Sequence, residues 1–501
     1  MGPSKKAAKA SSQSQSRGGS KNDPKKSSRG TTTTRGKHQH RPQNHGAESA
    51  AANQIDLSAT IPLTLQQLLL NVFKAALLTH RVPSSISSSS SRSEKRDGDG
   101  EGEGEGDEAE QQQQQQPQLD IKGLIQTIKS HLYNRDFDSA FTDADEELLR
   151  AYALRWSSSR ALGYAGIFRA LLGVLLKREG RVAGATTSAV DGDDAEEGEE
   201  GVSGHVVCIG GGAGAEIVAL AAAWRDWKQE GARTLAAAVD DLSLHETNGP
   251  EAQATATVEE SSTPDGRQQQ QQQHQQRHRL SVTAIDIADW SPIVDRLVST
   301  IRSPAVAGSD AHPAPLYRDA GLLSLSQTDN RGPAPSSSFQ VGFQKLDVLS
   351  ASEEELRRLV QPDTASGPVL VTLMFTLNEL FSTSMAKATG FLLRLTDMLR
   401  PGAVLLVVDS PGSYSTLKLG KNSAGGSGES TSSSTSERQY PMKFLLDHAL
   451  LSVAAGKWDR LFSQDSRWWR RDAARLRYGV GDAAGLEDMR FQVHIYRRLA
   501  D

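Results

Sequence analysis

Val206-Val207-Cys208-Ile209-Gly210-Gly211-Gly212-Ala213-Gly214-Ala215-Glu216 decides the fold. A short apolar run ends in a glycine cluster, and an Ala/Leu-rich run of helical character follows it. Strand, tight glycine turn and helix, in that order, is how doubly wound α/β folds bind nucleotide-like ligands. Glycine is expected here because a side chain would block a ligand's approach to the backbone, and some turn positions require positive φ. The stretch therefore predicts a cofactor site at this turn and makes an enzyme the leading expectation.

Two cofactor classes fit the loop. Gly210, Gly212 and Ala215 match G-x-G-x-x-[GA], the dinucleotide pattern. Gly210, Gly212 and Gly214 match G-x-G-x-G, more usual for S-adenosylmethionine. Glu216 tips the balance. A pyrophosphate prefers an uncrowded positive helix N-terminus, which a carboxylate in the first turn opposes. S-adenosylmethionine carries a sulfonium and an ammonium, which suit a nearby acid.

Outward from the loop, an α/β alternation is legible. Strand one is 205–209, and 214–231 is the first helix. Two runs compete for strand two: Thr234–Val239 before Asp240-Asp241, and Leu280–Ile285 before Asp286. The second is preferred, because β-branched residues are enriched there and a helix-like run, Trp290–Ile301, follows. Further strands are expected at 340–346, 368–375, 403–408 and 489–499, with helices at 384–399 and 441–454. Near-continuous apolar runs such as Val369–Phe375 indicate strands covered on both faces. Alternation with helices indicates a mostly parallel sheet. Upstream, 62–80, 119–135 and 142–177 read as helices, with Asp143 or Thr142 as a cap and Glu146 as its capping-box partner.

Composition sets the boundaries. Apolar residues make up 37% of the 501, a low share whose deficit lies in particular segments. Residues 84–118, 183–203, 249–279, 303–338 and 421–438 are Ser/Gly/Gln/Pro- or acid-rich and cannot bury enough apolar surface to offset chain entropy. They are expected to be disordered insertions. The expected organisation is a disordered basic tail (1–55), a helical region (56–182) and a cofactor-binding domain (204–501). The net charge of −5 hides a split, since residues 1–45 carry eleven Lys/Arg against the single acid Asp23. Such an arm suits nuclear import, nucleolar retention or RNA phosphate binding. No apolar run long enough to cross a bilayer is read, and no membrane association is expected. The lone Cys208 excludes an internal disulfide framework. No Cys/His cluster has metal-ligand spacing, so no metal is expected.

Polar residues recur just after strand ends, where open α/β sheets bind ligands. Asp286 can accept ribose hydroxyls, or serve as a helix N-cap. Asp347 can receive an adenine amino group, or stabilise a turn. Asn378 and Glu379 follow the fourth strand, on the edge facing the reacting atom, with a helix-cap role as the alternative. Asp409 precedes a Ser410-Pro411-Gly412 turn, and Tyr414 can stack on a base. In the helical region Arg155 and Arg160, with Trp156 or Tyr164 beside them, can pair with phosphates and stack on bases. Near the end, Arg467-Trp468-Trp469-Arg470-Arg471 joins aromatics to basic neighbours, a composition that suits RNA contact, with Trp469 the expected stacking residue.

Several segments together resemble the fungal large-subunit (25S) ribosomal RNA uridine-N3 methyltransferases. They are Leu154–Leu162 (Leu-Arg-Trp-Ser-Ser-Ser-Arg-Ala-Leu), the glycine loop 208–216, Asp286-Ile287-Ala288-Asp289-Trp290, Phe375-Thr376-Leu377-Asn378-Glu379-Leu380-Phe381, Asp409–Tyr414 and Met489–Arg498. The resemblance implies a Rossmann-like class I methyltransferase fold, S-adenosylmethionine as cofactor, and nucleolar pre-ribosomal RNA as substrate and partner. It further implies that Gly210, Gly212 and Gly214 line the methionine end, with Glu216 beside them, Asp286 the ribose and Asp347 the adenine. For methylation at uracil N3, Glu379 is the expected proton acceptor and Asn378 the residue positioning a carbonyl oxygen. Two rivals stand beside this reading: an NAD(P)-dependent oxidoreductase, and a non-catalytic S-adenosylmethionine-binding assembly factor.

Overall fold

The computed structural model describes residues 55–78, 119–134, 136–182, 203–245, 279–318, 338–361, 367–412, 414–418, 437–481 and 483–501. The basic tail and the insertions 84–118, 183–203, 249–279 and 421–438 lie outside these residues, but for a terminal position or two. Four helices come first: α1 (Leu63–Leu78), α2 (Ile121–Tyr133), α3 (Glu146–Tyr152) and α4 (Ser158–Val182), the last two joined by a π turn, Ala153–Ser157. The alternating part follows as β1 (Ser203–Ile209), α5 (Ala215–His245), β2 (Arg279–Asp286), α6 (Ser291–Ile301), β3 (Phe339–Lys345), α7 (Glu353–Val360), β4 (Val369–Met374), α8 (Leu377–Thr383), α9 (Met385–Met398) and β5 (Val404–Asp409). A hairpin of β6 (Tyr414–Lys418) and β7 (Glu437–Pro441), then α10 (Met442–Asp447), β8 (Trp458–Trp469) and β9 (Met489–Arg498) complete the order.

The main sheet has seven strands in the order β3-β2-β1-β4-β5-β9-β8. The first five are mutually parallel, and β9 runs antiparallel to both β5 and β8. β4 and β5 are buried along their whole length, as strands covered on both faces must be. Alternate residues divide between two cores. Val206, Cys208, Val404 and Leu406 pack toward α1, α4, α5 and α6; Val207, Ile209, Leu405 and Val407 pack toward α7, α9 and α10. Strand two is the run beginning at Arg279, whereas Thr234–Val239 continues α5.

The helical region upstream of β1 shares a core with the sheet: residues 53–501 form one compact unit that includes α1 and α4. Leu65, Leu68, Leu69, Val72, Phe73 and Leu77 of α1 are all buried in it, and apolar side chains buried this way contribute roughly 1.5–3 kcal/mol each. Three expectations need correction. Disorder does not extend through 303–318, where Val306, Leu316 and Tyr317 are buried. Polar contacts pin that segment, with Thr64 Oγ1 2.6 Å from His312 Nδ1 and Arg225 Nη1 donating to Pro315 O at 2.9 Å. The α3 cap is Asp145, which accepts from Leu148 N at 2.8 Å, so neither Asp143 nor Thr142 caps it. Finally, Glu146–Leu176 is a continuous helical stretch long and apolar enough to cross a bilayer; 67% of its apolar window is buried inside the protein, where it serves as a core helix.

Candidate functional site

A cavity of about 500 Å³ opens at the carboxyl edge of β1, β2 and β4. Gly210 and Ala213 of the glycine turn line its floor, whereas Gly212 and Gly214 lie behind it. Gly210 (φ +75°) and Gly214 (φ +81°) occupy the left-handed region, which a β-carbon disfavours. The glycines also make room for the protein's own atoms. A Cβ on Gly210 would lie 2.2 Å from Thr376 Oγ1, one on Gly212 2.2 Å from Trp290 Cδ1, and one on Gly214 2.1 Å from Leu297 Cδ1. Close packing of the turn against β4's end and against the Asp286–Leu297 segment is thus a further reason for glycine here. Gly212 N–H donates to Asp286 Oδ2 at 3.1 Å, fastening the turn to the end of β2.

Two carboxylates line this floor. Glu216 is 3% exposed, and its Oε1 has no hydrogen-bond partner among the described residues. Burial pushes its pKa up to about 8, against the pull of Arg160 and with the push of Asp286. Asp286 is likewise pushed up by burial, to about 6, although the backbone N–H groups of Ala288 and Gly212 donate to it. Asp347, also on the cavity, accepts from Leu349 N at 2.9 Å and from Ser350 Oγ at 2.8 Å. One bond per carboxylate oxygen leaves each a further lone pair.

The roof comes from the upstream helices. Phe141, Tyr152, Ser157, Arg160 and Tyr164 all line the cavity. Phe141 and Tyr152 meet edge to face at 5.1 Å, and Tyr152 lies 5.7 Å from Trp290. Ser157 Oγ is buried without a partner among the described residues. Arg160 donates to Tyr152 Oη at 2.9 Å, and its guanidinium lies 4.8 Å over the Phe375 ring. Burial disfavours its charge, but Tyr152, Tyr164 and Glu216 outweigh that and hold it protonated.

The wall after β4 is built differently. Phe375 has φ +59°, a conformation that costs a non-glycine residue about 1–3 kcal/mol. Its N–H bonds to Val408 O at 2.7 Å, and the kink brings Thr376, Glu379 and Leu380 to the cavity. Asn378 and Asp409 do not line the cavity but stand behind this wall, where Asn378 N–H donates to Asp409 Oδ2 at 3.0 Å. The Asn378 side-chain oxygen is buried without a partner among the described residues. Asp409, 3% exposed, is pushed up to about 6 by burial, against the Asn378 and Ser410 amides.

The expected RNA contacts separate. Arg155 is 7% exposed and pairs with Glu487, so it fastens the segment before β9. Arg160 points into the cavity rather than onto an outer face. Trp469 is half-buried against α4, its Cγ 3.5 Å from the position of a Cβ on Gly163. Its neighbour Trp468 is the exposed one, at 52%. The Tyr414 side chain lies outside the described residues. The sequence reading missed Phe141, Tyr152 and Ser157, whose only sequence signal was an aromatic and hydroxyl content that also suits a packed helix. It also missed Phe375, whose positive φ no phenylalanine advertises.

A parallel sheet closed by an antiparallel β9 inserted before the edge strand, with a glycine turn after β1 and acids after β1 and β2, defines a class I S-adenosylmethionine-dependent methyltransferase. A family model for SAM-dependent methyltransferases matches residues 107–497, and the chain belongs to that family. It is 30% identical over 380 residues to the 25S rRNA (uridine(2843)-N(3))-methyltransferase of Saccharomyces cerevisiae, covering 74% of this chain and 76% of that one. Among solved structures, a SAM-dependent methyltransferase from Methanosarcina mazei aligns over 59% of this chain and 93% of its own, at 10% identity and a TM-score of 0.25. A 16S rRNA (adenine(1408)-N(1))-methyltransferase from Catenulisporales acidiphilia aligns over 44% and 78%, at 14% identity and a TM-score of 0.20. The protein is a methyltransferase, and its cofactor is S-adenosylmethionine.

Proposed function

We propose that the protein methylates N3 of a uridine in large-subunit ribosomal RNA. One pairing carries the reading: the reaction named for the yeast relative, and a cavity with Glu216 at one wall and Glu379 at another. The residues present fit the cofactor. Glu216, whose buried Oε1 has no hydrogen-bond partner among the described residues, suits its ammonium; Arg160 suits its carboxylate; Asp286 suits its ribose hydroxyls and Asp347 its adenine amine. Two carboxylates on the floor oppose a pyrophosphate, which disfavours the dinucleotide alternative.

Bound there, S-adenosylmethionine supplies an electrophilic methyl on a sulfonium sulfur. The chain's task is alignment, because in-line displacement is accelerated chiefly by holding the partners in place. Uracil N3 carries a proton and lies on the pairing edge, so the base must be unpaired or flipped, at roughly a few kcal/mol. Glu379 accepts the N3 proton as the nitrogen becomes the nucleophile, and the Asn378 NH₂ is the donor for a neighbouring uracil carbonyl. Thymine-type C5 methylation needs a nucleophilic thiol, but Cys208 is fully buried within β1 and its pKa is pushed up by burial. The basic segment 1–45 supports a nuclear and nucleolar location.

Mapping 3-methyluridine in ribosomal RNA from cells with and without the gene tests the proposal. Loss of the mark at one large-subunit position is expected, and its restoration by the wild-type chain but not by Glu379→Gln. An unchanged 3-methyluridine pattern would remove the uridine assignment and leave the non-catalytic alternative.

A further inference from the structure

The end of β8 carries a surface that the cavity does not use. Trp468 is 52% exposed, with the Arg470 guanidinium 5.0 Å from its ring centroid and that of Arg490 5.9 Å away. The arrangement is fixed rather than incidental. Trp468 and Arg490 are direct cross-strand partners in the β8–β9 ladder, and Arg490 Nε also donates to Ser466 Oγ at 3.0 Å. A register shift between Gln464 and Arg467 kinks the edge strand just before the tryptophan. Trp469, pointing to the opposite face, anchors the strand against α4 at Gly163.

Topology places this surface on the cavity's rim. β9 begins where β5 ends, with Asp409 opposite Gln492, and β8 ends where β9 begins, with Trp469 opposite Met489. The Gln492 side chain donates to Ser410 O at 2.8 Å, tying the start of β9 to the turn after β5. Trp468 therefore stands at the carboxyl edge, as the cavity mouth does. It lies three strand spacings from β4, or roughly 14 Å at about 4.8 Å per strand. That is the span of a few nucleotides.

Charge identifies the occupant. Arg470 and Arg490 flank the Trp468 ring, with Arg471 close by in sequence, while Asp488 is shared at 3.5 Å with Arg470 and 3.7 Å with Arg471. Arg470 remains 69% exposed in its side chain. A half-exposed indole flanked by guanidinium groups is suited to stack an unpaired base while the cations meet its flanking phosphates.

Resting on the RNA reading above, we infer that Trp468, Arg470 and Arg490 form a platform that holds a single-stranded nucleotide a few positions from the uridine being methylated. The test uses the full chain and a fluorescent 20-nucleotide oligouridylate, with anisotropy as the readout. Trp468→Ala weakens binding about 5- to 100-fold, the effect of losing one stacked base, and Trp468→Phe restores most of it. Arg470→Ala with Arg490→Ala lowers the slope of log affinity against log salt by about 1.4, the loss of two single-strand phosphate contacts. S-adenosylmethionine affinity by calorimetry, and melting temperature, stay at wild-type values, since none of these residues lines the cavity. Wild-type affinity for the oligonucleotide in Trp468→Ala, or no binding by the wild-type chain, would overturn the inference and leave the patch to a protein partner. Failure of the uridine assignment reads differently: the platform variants still lose RNA affinity, but no methyl reaches N3.

Discussion

The two walls of the cavity are built on different terms. On the β1–β2 side the backbone is tightly packed. The turn's glycines admit Thr376, Trp290 and Leu297, and Gly212 N–H ties the turn to Asp286. On the β4 side the backbone is strained at Phe375, the Asn378 side-chain oxygen is buried without a partner among the described residues, and burial pushes the Asp409 carboxyl up. The first wall suits a ligand held the same way in every turnover. The second stores strain and leaves groups poised to change partner or proton, as a reacting side must. The proposed function puts the cofactor on the first wall and the chemistry on the second.

The largest expected effect falls on the second wall. Glu379→Gln lowers kcat by about 10²- to 10⁴-fold, the usual range for losing a proton acceptor, while S-adenosylmethionine affinity by calorimetry is unchanged. A parallel loss of cofactor affinity would erase the division between the walls. Next is the first wall. Gly212→Val drives a side chain into Trp290 and Asp286 and weakens S-adenosylmethionine binding on the order of 100-fold, equivalent to about 2.7 kcal/mol.

Glu216→Gln comes third, with about a tenfold loss of cofactor affinity at pH 8, like that of one charge-assisted contact. Its sharper signature is pH. With a pKa near 8, Glu216 is mostly protonated at pH 6, and the carboxylate that suits an ammonium appears only as pH rises toward 8. Wild-type affinity therefore tightens across that window, and the Gln variant is flat there. Stability runs the other way. A carboxyl whose pKa is raised from 4.5 to about 8 on folding contributes nothing adverse below pH 4.5 and becomes progressively destabilising up to pH 8. The unliganded Gln variant should melt above wild type at pH 8 and level with it at pH 4.5.

The smallest effect is Phe375→Gly, which relieves about 1 kcal/mol of backbone strain but removes the ring under Arg160. Thermal unfolding should show a gain of a few degrees or none, with kcat lowered several-fold as the Glu379 wall loosens. A rate at or above wild type would show that the kink is not part of the mechanism.

What the sequence made legible follows the same line. Strand, glycine turn and acid are local patterns, so β1, the turn, Glu216 and Asp286 were readable, and β-branched enrichment located β2 beyond a long insertion. The residues after β4 were recognisable as a rim segment, but the kink at Phe375 depends on Val408 across the sheet and has no local signature. The upstream helices were legible as helices, but their place over the cavity was not, because α1 and α4 complete their core only against the sheet. Arg155 and Trp469 looked like RNA contacts by composition. Burial against Glu487 and Gly163, set by the β8–β9 ladder, turned both inward and left Trp468 outside.

The direct measurement is nucleoside analysis of large-subunit ribosomal RNA, taken from cells lacking the gene and incubated with the purified chain and methyl-labelled S-adenosylmethionine. Label in 3-methyluridine is the outcome that the proposed function predicts. Label in another nucleoside, or in none while the donor is bound, would contradict it.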